Sequence, residues 1–287
     1  MQLTQEQLKG KINNKAKESH ADARAIMRIY MMERFLERMA CSKYKDNFIL
    51  KGGMLVISMV GTALRSTMDI DTTMRNQKLS VKEVRNIVED IIAIRLDDGI
   101  SFDVKEVFEI MDKMEYPGVR VTMNAKLSKL VSPFKIDIST GDVITPHAIE
   151  REYKLLLDKR IITLWTYNLE TILAEKLQTS LVRANFNTRM RDFYDIKILL
   201  SIYEKDINAK ILKKAFMATC KNRETEDVLT KGSEILTSIR SSEKLQNLWA
   251  SYQKKYSYAA DIQYADVIES ITILASKCIC SEEMLDW

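Results

Sequence analysis

Two aspartates one residue apart, Asp69 and Asp71, are the side chains of this sequence best suited to chemistry. On a strand, carboxylates at i and i+2 project from one face with Cα atoms roughly 6–7 Å apart, a pitch suited to holding a divalent cation against a triphosphate. An isolated Asp-x-Asp is more often a solvated edge strand ending in a turn, but here it has company. Asp137 falls on the polar side of an alternating stretch in which Phe134, Ile136 and Ile138 face the other way. If the two strands are neighbours, Asp137 lies about 5 Å from the pair, one inter-strand spacing. Three clustered carboxylates repel one another unless cations neutralise them, so a metal site follows. Two Mg2+ (or Mn2+) ions could clamp the attacking and leaving oxygens of an in-line displacement at phosphorus. Upstream, Gly52-Gly53 opens an apolar helical run, and exposed N–H groups at such a turn can receive phosphate oxygens. The chemistry these residues point to is nucleotidyl transfer from a nucleoside triphosphate.

Two further groups lie downstream. On an ideal helix Lys176 falls inside the apolar stripe of Leu169, Ile172, Leu173 and Leu177, whereas Glu175 falls outside it. Either its stem packs while its head reaches water, or the lysine is delivered across a domain cleft to the phosphates of a nucleotide. Arg189-x-Arg191-Asp192-x-x-Asp195 places Asp192 and Asp195 on one helix face. That is ordinary surface ion pairing, worth little, or else Asp192 orients Lys176 or the nucleotide while Arg189 or Arg191 reaches phosphate. Tyr252, Tyr256, Tyr258 and Tyr264, among Lys254 and Lys255, read as helix packing in preference to a base-stacking surface. His147 has no nucleophile partner, and there is no P-loop, dinucleotide fingerprint or HExxH.

The elements that must position these residues can be read from periodicity. Helices are expected over Asp22–Tyr44, Met54–Met59 and Val81–Arg95, and strands over Phe48–Lys51 and Met68–Thr73, the latter turning Met68 and Ile70 to the core. Residues 102–141 carry strand periods, bounded by Tyr116-Pro117-Gly118 and by Gly141. From about Thr166 the pattern is helical: Asn168 caps Leu169–Arg183, a second helix begins near Arg189, and others cover roughly 206–220, 224–240, 242–256 and 261–280. Residues 1–20 read as a polar leader, partly helical. The expected organisation is α+β, with an α/β core at 1–160 and a helical C-terminal domain at 161–287. A chain of 287 residues accommodates two domains, and only 8 Gly and 3 Pro argue against a loop-rich all-β fold. A net charge of +4 permits a nucleic-acid partner without demanding one. Four cysteines show no disulfide spacing, and Cys278-x-Cys280, with only His20 and His147 elsewhere, reads as reduced thiols rather than a metal site. With no signal peptide and no apolar run near the roughly 20 residues of a membrane span, the expectation is a cytoplasmic protein without a membrane partner.

Taken together, the pattern resembles the AbiE-type nucleotidyltransferase toxins of type IV toxin–antitoxin systems. The resemblance runs through Leu50-Lys51-Gly52-Gly53, Arg65-Ser66-Thr67-Met68-Asp69-Ile70-Asp71 and Lys135-Ile136-Asp137-Ile138. It continues through Leu169-Glu170-Thr171-Ile172-Leu173-Ala174-Glu175-Lys176-Leu177 and Arg191-Asp192-Phe193-Tyr194-Asp195, so it spans about residues 48–200. It implies a polymerase beta-like nucleotidyltransferase core with a mixed sheet, followed by helices. It implies that Asp69 and Asp71, with Asp137 as third carboxylate, hold the metal, and that Lys176 and Asp192 belong to the catalytic set. The nucleotide would meet Lys51, Gly52, Gly53, Arg65, Ser66, Thr67, Lys176, Arg189, Arg191 and Asp195. The broad superfamily has Gly-Ser where this chain has Gly52-Gly53, which leaves phosphate to backbone amides, assisted by Ser66 or Thr67. Some members of the family modify the 3′ end of tRNA and block translation, so the implied role is growth inhibition in phage defence by abortive infection. The implied partners are an NTP, tRNA or another RNA, and a separately encoded antitoxin that need not form a stable complex. A regulator that binds nucleotide without turnover, and an enzyme that modifies Ser, Thr or Tyr of a protein, are the alternatives. The whole set predicts a site at the domain junction.

Overall fold

The computed structural model describes residues 3–63, 65–75, 80–110 and 118–279. The chain divides into two compact units, residues 1–142 with 148–167 and residues 143–147 with 168–287.

The first unit runs α1 (Gln5–Glu18), α2 (Ala23–Cys41), β1 (Phe48–Lys51), α3 (Gly52–Val60), β2 (Asp69–Met74), α4 (Val81–Ile92), β3 (Ser101–Ile110), β4 (Gly118–Leu127), β5 (Leu130–Thr140), β6 (Ile149–Lys154) and β7 (Ile161–Thr166). Its strands form one mixed sheet in the order β3-β4-β5-β2-β1-β7-β6. β2 pairs parallel with β5 and β1 parallel with β7, while the other neighbours are antiparallel. α2 packs against β5 and β7, and Phe35, Phe102 and Phe134 meet edge-on with centroids 6.1–6.4 Å apart. Arg38 fixes the far end of α2, forking onto Asp98 at 2.8 and 2.9 Å and donating to the carbonyls of Ile94 and Ile100. Glu33, also on α2, is buried and accepts twice from the N–H of Leu156, at 2.9 and 3.1 Å. Burial pushes its carboxyl up to about 8.

The expected leader is instead a packed helix. Thr4 and Gln7 close a capping box, and Leu8, Ile12 and Ala16 bury a stripe one residue wide against α2. A stripe that narrow barely registers in a sequence otherwise rich in Lys, Asn and Gln. β6 and β7 were not expected either, although Ile161–Thr166 is rich in β-branched residues. Because β7 pairs with both β1 and β6, a boundary at residue 160 would cut the sheet, and the first unit instead continues to Tyr167. Met68, expected in the core, precedes β2 and is 53% exposed. The Tyr116-Pro117 turn and Cys280 lie outside the described residues.

The second unit comprises α5 (Leu169–Arg183), α6 (Met190–Tyr203), α7 (Ala209–Asn222), α8 (Val228–Ser241), α9 (Glu243–Lys255) and α10 (Tyr264–Ser276). Asn168 caps α5 by accepting from Thr171 N–H at 2.8 Å, and its amide donates to the carbonyls of Thr145 and His147. That second use of the cap ties residues 143–147 to this unit. Tyr194, Trp249, Tyr252, Tyr256 and Tyr258 form an aromatic cluster with centroids 4.7–6.3 Å apart, and Tyr264 donates to the Ile239 carbonyl. These tyrosines pack helices. Cys220 and Cys278 are buried free thiols, and no helix of the described residues is long and apolar enough to cross a membrane.

Candidate active site

In the first unit the site is built where β1 turns into α3 beside the start of β2. Gly52 has φ +60°, a left-handed conformation that glycine adopts without strain. It also lies hard against Asp71: a Cβ at Gly52 would fall 2.0 Å from Asp71 Oδ2, and one at Gly53 would fall 2.3 Å from Thr67 Oγ1. Both glycines are thus required, Gly52 by Asp71 on β2 and Gly53 by Thr67 just before that strand, whatever occupies the turn. Gly53 N–H donates to Asp71 Oδ2 at 3.2 Å, and the Thr67 hydroxyl donates to Asp69 Oδ1 at 2.8 Å. Ile70 between them is buried, so the two carboxylates share the opposite face of β2.

The β2–β5 register sets Asp71 directly beside Asp137, as alternation on the two strands required. One strand further, Arg120 on β4 pairs with Asp137 and takes both its oxygens at 2.7 Å. On the other flank, Lys51 reaches Asp142 at 2.5 Å, and Asp142 also accepts from Ser139 and Tyr167. The Asp142 side chain is buried, yet the Lys51 ammonium and those hydroxyls hold its carboxyl below the usual range. Asp71 behaves oppositely. Burial first, then the charges of Asp69 and Asp137, push it up to about 7, against the pull of Lys51 and the Gly53 N–H.

In the second unit, Lys176 on α5 points inward and does not snorkel. Its ammonium donates to Asp192 at 2.8 Å and to Asp195 at 2.7 Å, both on α6, and Asp195 is fully buried. Asp192 stands in the first turn of α6, where the helix dipole favours a carboxylate. Arg191 contacts the Tyr256 hydroxyl at 3.5 Å, and the Arg189 N–H donates to Asn187. Glu175, outside the stripe as expected, pairs with Arg223.

The family model described as nucleotidyl transferase AbiEii toxin, type IV TA system, matches residues 34–270. The chain belongs to that family. It is therefore a nucleotidyltransferase of the AbiEii toxin kind. Similar solved structures include a candidate nucleotidyltransferase from H. pylori (16% identity, 88% of this chain and 93% of that one, TM-score 0.49). They also include JHP933 from Helicobacter pylori (16%, 88% and 92%, TM-score 0.47) and an antigenic nucleotidyltransferase-like protein from Paracoccidioides brasiliensis (12%, 88% and 94%, TM-score 0.39). No curated protein matches the sequence.

For this AbiEii chain, the residues present fit a divalent cation at one pair. Asp69 and Asp71 are hard oxygen donors on one face, and burial first, then the neighbouring carboxylates, makes the Asp71 charge costly without a cation beside it. Asp137 differs, because both its oxygens are already engaged by Arg120. Among the described residues no group of three or more His, Cys, Asp or Glu side chains is arranged as a metal site. Of the residues expected to meet nucleotide, Thr67 and Arg65 are buried, Thr67 serving Asp69 and Arg65 donating to the Ser66 carbonyl. Ser66 is half-buried. Arg120 and Asp142 were missed from sequence. Arg120 sat in plain view on the polar side of Val119-Arg120-Val121, but its partner follows only from strand register.

Proposed function

We propose that the chain transfers a nucleoside monophosphate from an NTP to the 3′-OH of an RNA, with tRNA as the acceptor class, and thereby arrests translation. The observation that carries this reading is the Asp69/Asp71 pair held under Gly52–Gly53, with Asp71 charged only reluctantly until a cation arrives. The amino end of α3 offers a phosphate-binding turn beside that pair. A divalent cation on Asp69 and Asp71, Mg2+ or Mn2+, would supply charge to the α-phosphate and to the departing pyrophosphate. The acceptor oxygen attacks the α-phosphorus, the bond to the β-phosphate oxygen breaks, and the hydroxyl proton passes to a carboxylate of the cluster, for which Asp137 is the candidate. Thr67 and the Gly53 N–H hold Asp69 and Asp71 in place through this exchange. Lys176 and Asp192 are assigned to nucleotide contact, a role that the buried Asp195 supports by fixing the lysine. In the cell this reading makes the chain a cytoplasmic growth inhibitor acting in phage defence, restrained by a separately encoded antitoxin. The test is incubation of purified protein with Mg2+, each labelled NTP and total tRNA. Label at the RNA 3′ end, lost in Asp69→Ala, is expected. No label on RNA with any NTP, together with an Asp69→Ala chain as toxic as wild type, would refute it.

A further inference from the structure

Arg120, Asp137 and Asp71 stand side by side on β4, β5 and β2, at one level of the sheet. Neighbouring strands are about 4.8 Å apart, so the row places a guanidinium, a shared carboxylate and a metal-pair carboxylate within two strand steps. The Arg120 fork commits both Asp137 oxygens to the β4 side. The pair is also open to exchange with a competing anion, which can repeat the same two-bond geometry. Its side chains are 30% and 19% exposed, so an incoming anion can reach the guanidinium. A phosphate offers the same planar fork two oxygens and more charge.

Building on the proposed nucleotidyl transfer, we propose that Arg120 is a positioning residue that latches the third carboxylate. While Arg120 grips Asp137, the chain presents a divalent cation with the Asp69/Asp71 pair alone. A substrate phosphate draws the guanidinium away and frees Asp137 to join the pair, so the full acidic trio assembles only with the nucleotide in place. Arg120 thereby spares the free protein a second cation with nothing to clamp, and it couples the readiness of Asp137 to the arrival of substrate.

The test counts Mn2+ bound per chain by electron paramagnetic resonance at saturating Mn2+, with and without the α,β-methylene analogues of the four NTPs. Wild type should bind one ion alone and two with nucleotide. Arg120→Gln should bind two in both states, with the first about tenfold tighter for loss of a nearby positive charge. Arg120→Lys, which keeps the charge, should return the count to one in the absence of nucleotide. Equal counts in wild type and Arg120→Gln without nucleotide would overturn the latch. Should Arg120→Gln fail to fold, Asp137→Asn decides: one ion with nucleotide supports the latch, and two overturns it. If wild type labels RNA while the counts agree, only the latch falls. If wild type binds no Mn2+ and transfers nothing, the proposed function falls, and the latch with it.

Discussion

Replacing Asp71 by Asn should make this enzyme inactive and, in the absence of divalent cations, more stable above neutral pH. The Asp71 carboxyl lies at about 7 instead of 3.8, because it is packed against Gly52 and faces the charges of Asp69 and Asp137. Between about pH 4 and 7 the folded chain therefore holds a proton that the unfolded chain has released, so stability falls as pH rises through that window and levels off above it. At about 1.4 kcal/mol per pH unit the shift sets a ceiling of roughly 4 kcal/mol. Neighbouring carboxylates share the proton, so the expected gain for Asp71→Asn at pH 8 is about 1–2 kcal/mol. The amide oxygen still accepts from Gly53 N–H, so geometry survives. Urea unfolding at pH 5, 6, 7 and 8 in EDTA should give a falling wild-type curve and a flatter one for the variant, crossing so that the variant leads at pH 8. Adding Mg2+ should stabilise the wild type and leave the variant unmoved, since only binding to the folded state contributes. If Asp71→Asn is the less stable protein at pH 8 in EDTA, the account of an under-compensated metal pair is wrong.

Further perturbations follow from other contacts in the structure. Gly53→Ala drives a Cβ into Thr67 Oγ1 and should cost about 1–3 kcal/mol in urea melts and weaken Mn2+ binding, whereas Gly10→Ala, in open space on α1, should gain up to ~1 kcal/mol. Lys176→Met takes one ammonium partner from the buried Asp195 and should cost up to about 3–5 kcal/mol, part of it recovered in the double variant Lys176→Met with Asp195→Asn. Glu33→Gln should match wild type below pH 4 and exceed it at pH 9, by no more than about 5 kcal/mol, because the Glu33 carboxyl at about 8 is lost as a neutral group over that span. Chemical denaturation across pH measures this, and a variant weaker than wild type at pH 9 would contradict it.

Strong alternation and strong caps were legible in the sequence. β1 and α5, with its Asn168 cap, lie where their patterns put them, and the β2–β5 register follows from carboxylates that must share a face. What escaped depends on partners distant in sequence. Met68 obeys strand alternation on paper, yet β2 begins one residue later and leaves it in water. The polar α1 is held by a stripe of three residues that only its packing on α2 makes meaningful. The inward Lys176 was visible, but its second carboxylate, Asp195, is what turns a snorkelling candidate into a buried ion triad. Arg120 and Asp142 carry no motif, and each is defined by which strand its partner occupies.

The parallel alignment of β2 with β5 has a consequence for how this enzyme can fail. These strands are separated by α4, β3 and β4, so no tight turn dictates how they line up; only the pairing of Asp69 through Met74 with Lys135 through Thr140 does. A slip of one residue would turn one strand's side chains to the opposite side of the sheet, and a slip of two would carry Asp137 about 6–7 Å along it. A chain that settled one notch away would keep nearly all its secondary structure and be inert. For a chain of a toxin family, activity would thus depend on how the sheet assembles, and variants in the β3–β4 arm should be able to lower it without changing any of the clustered carboxylates.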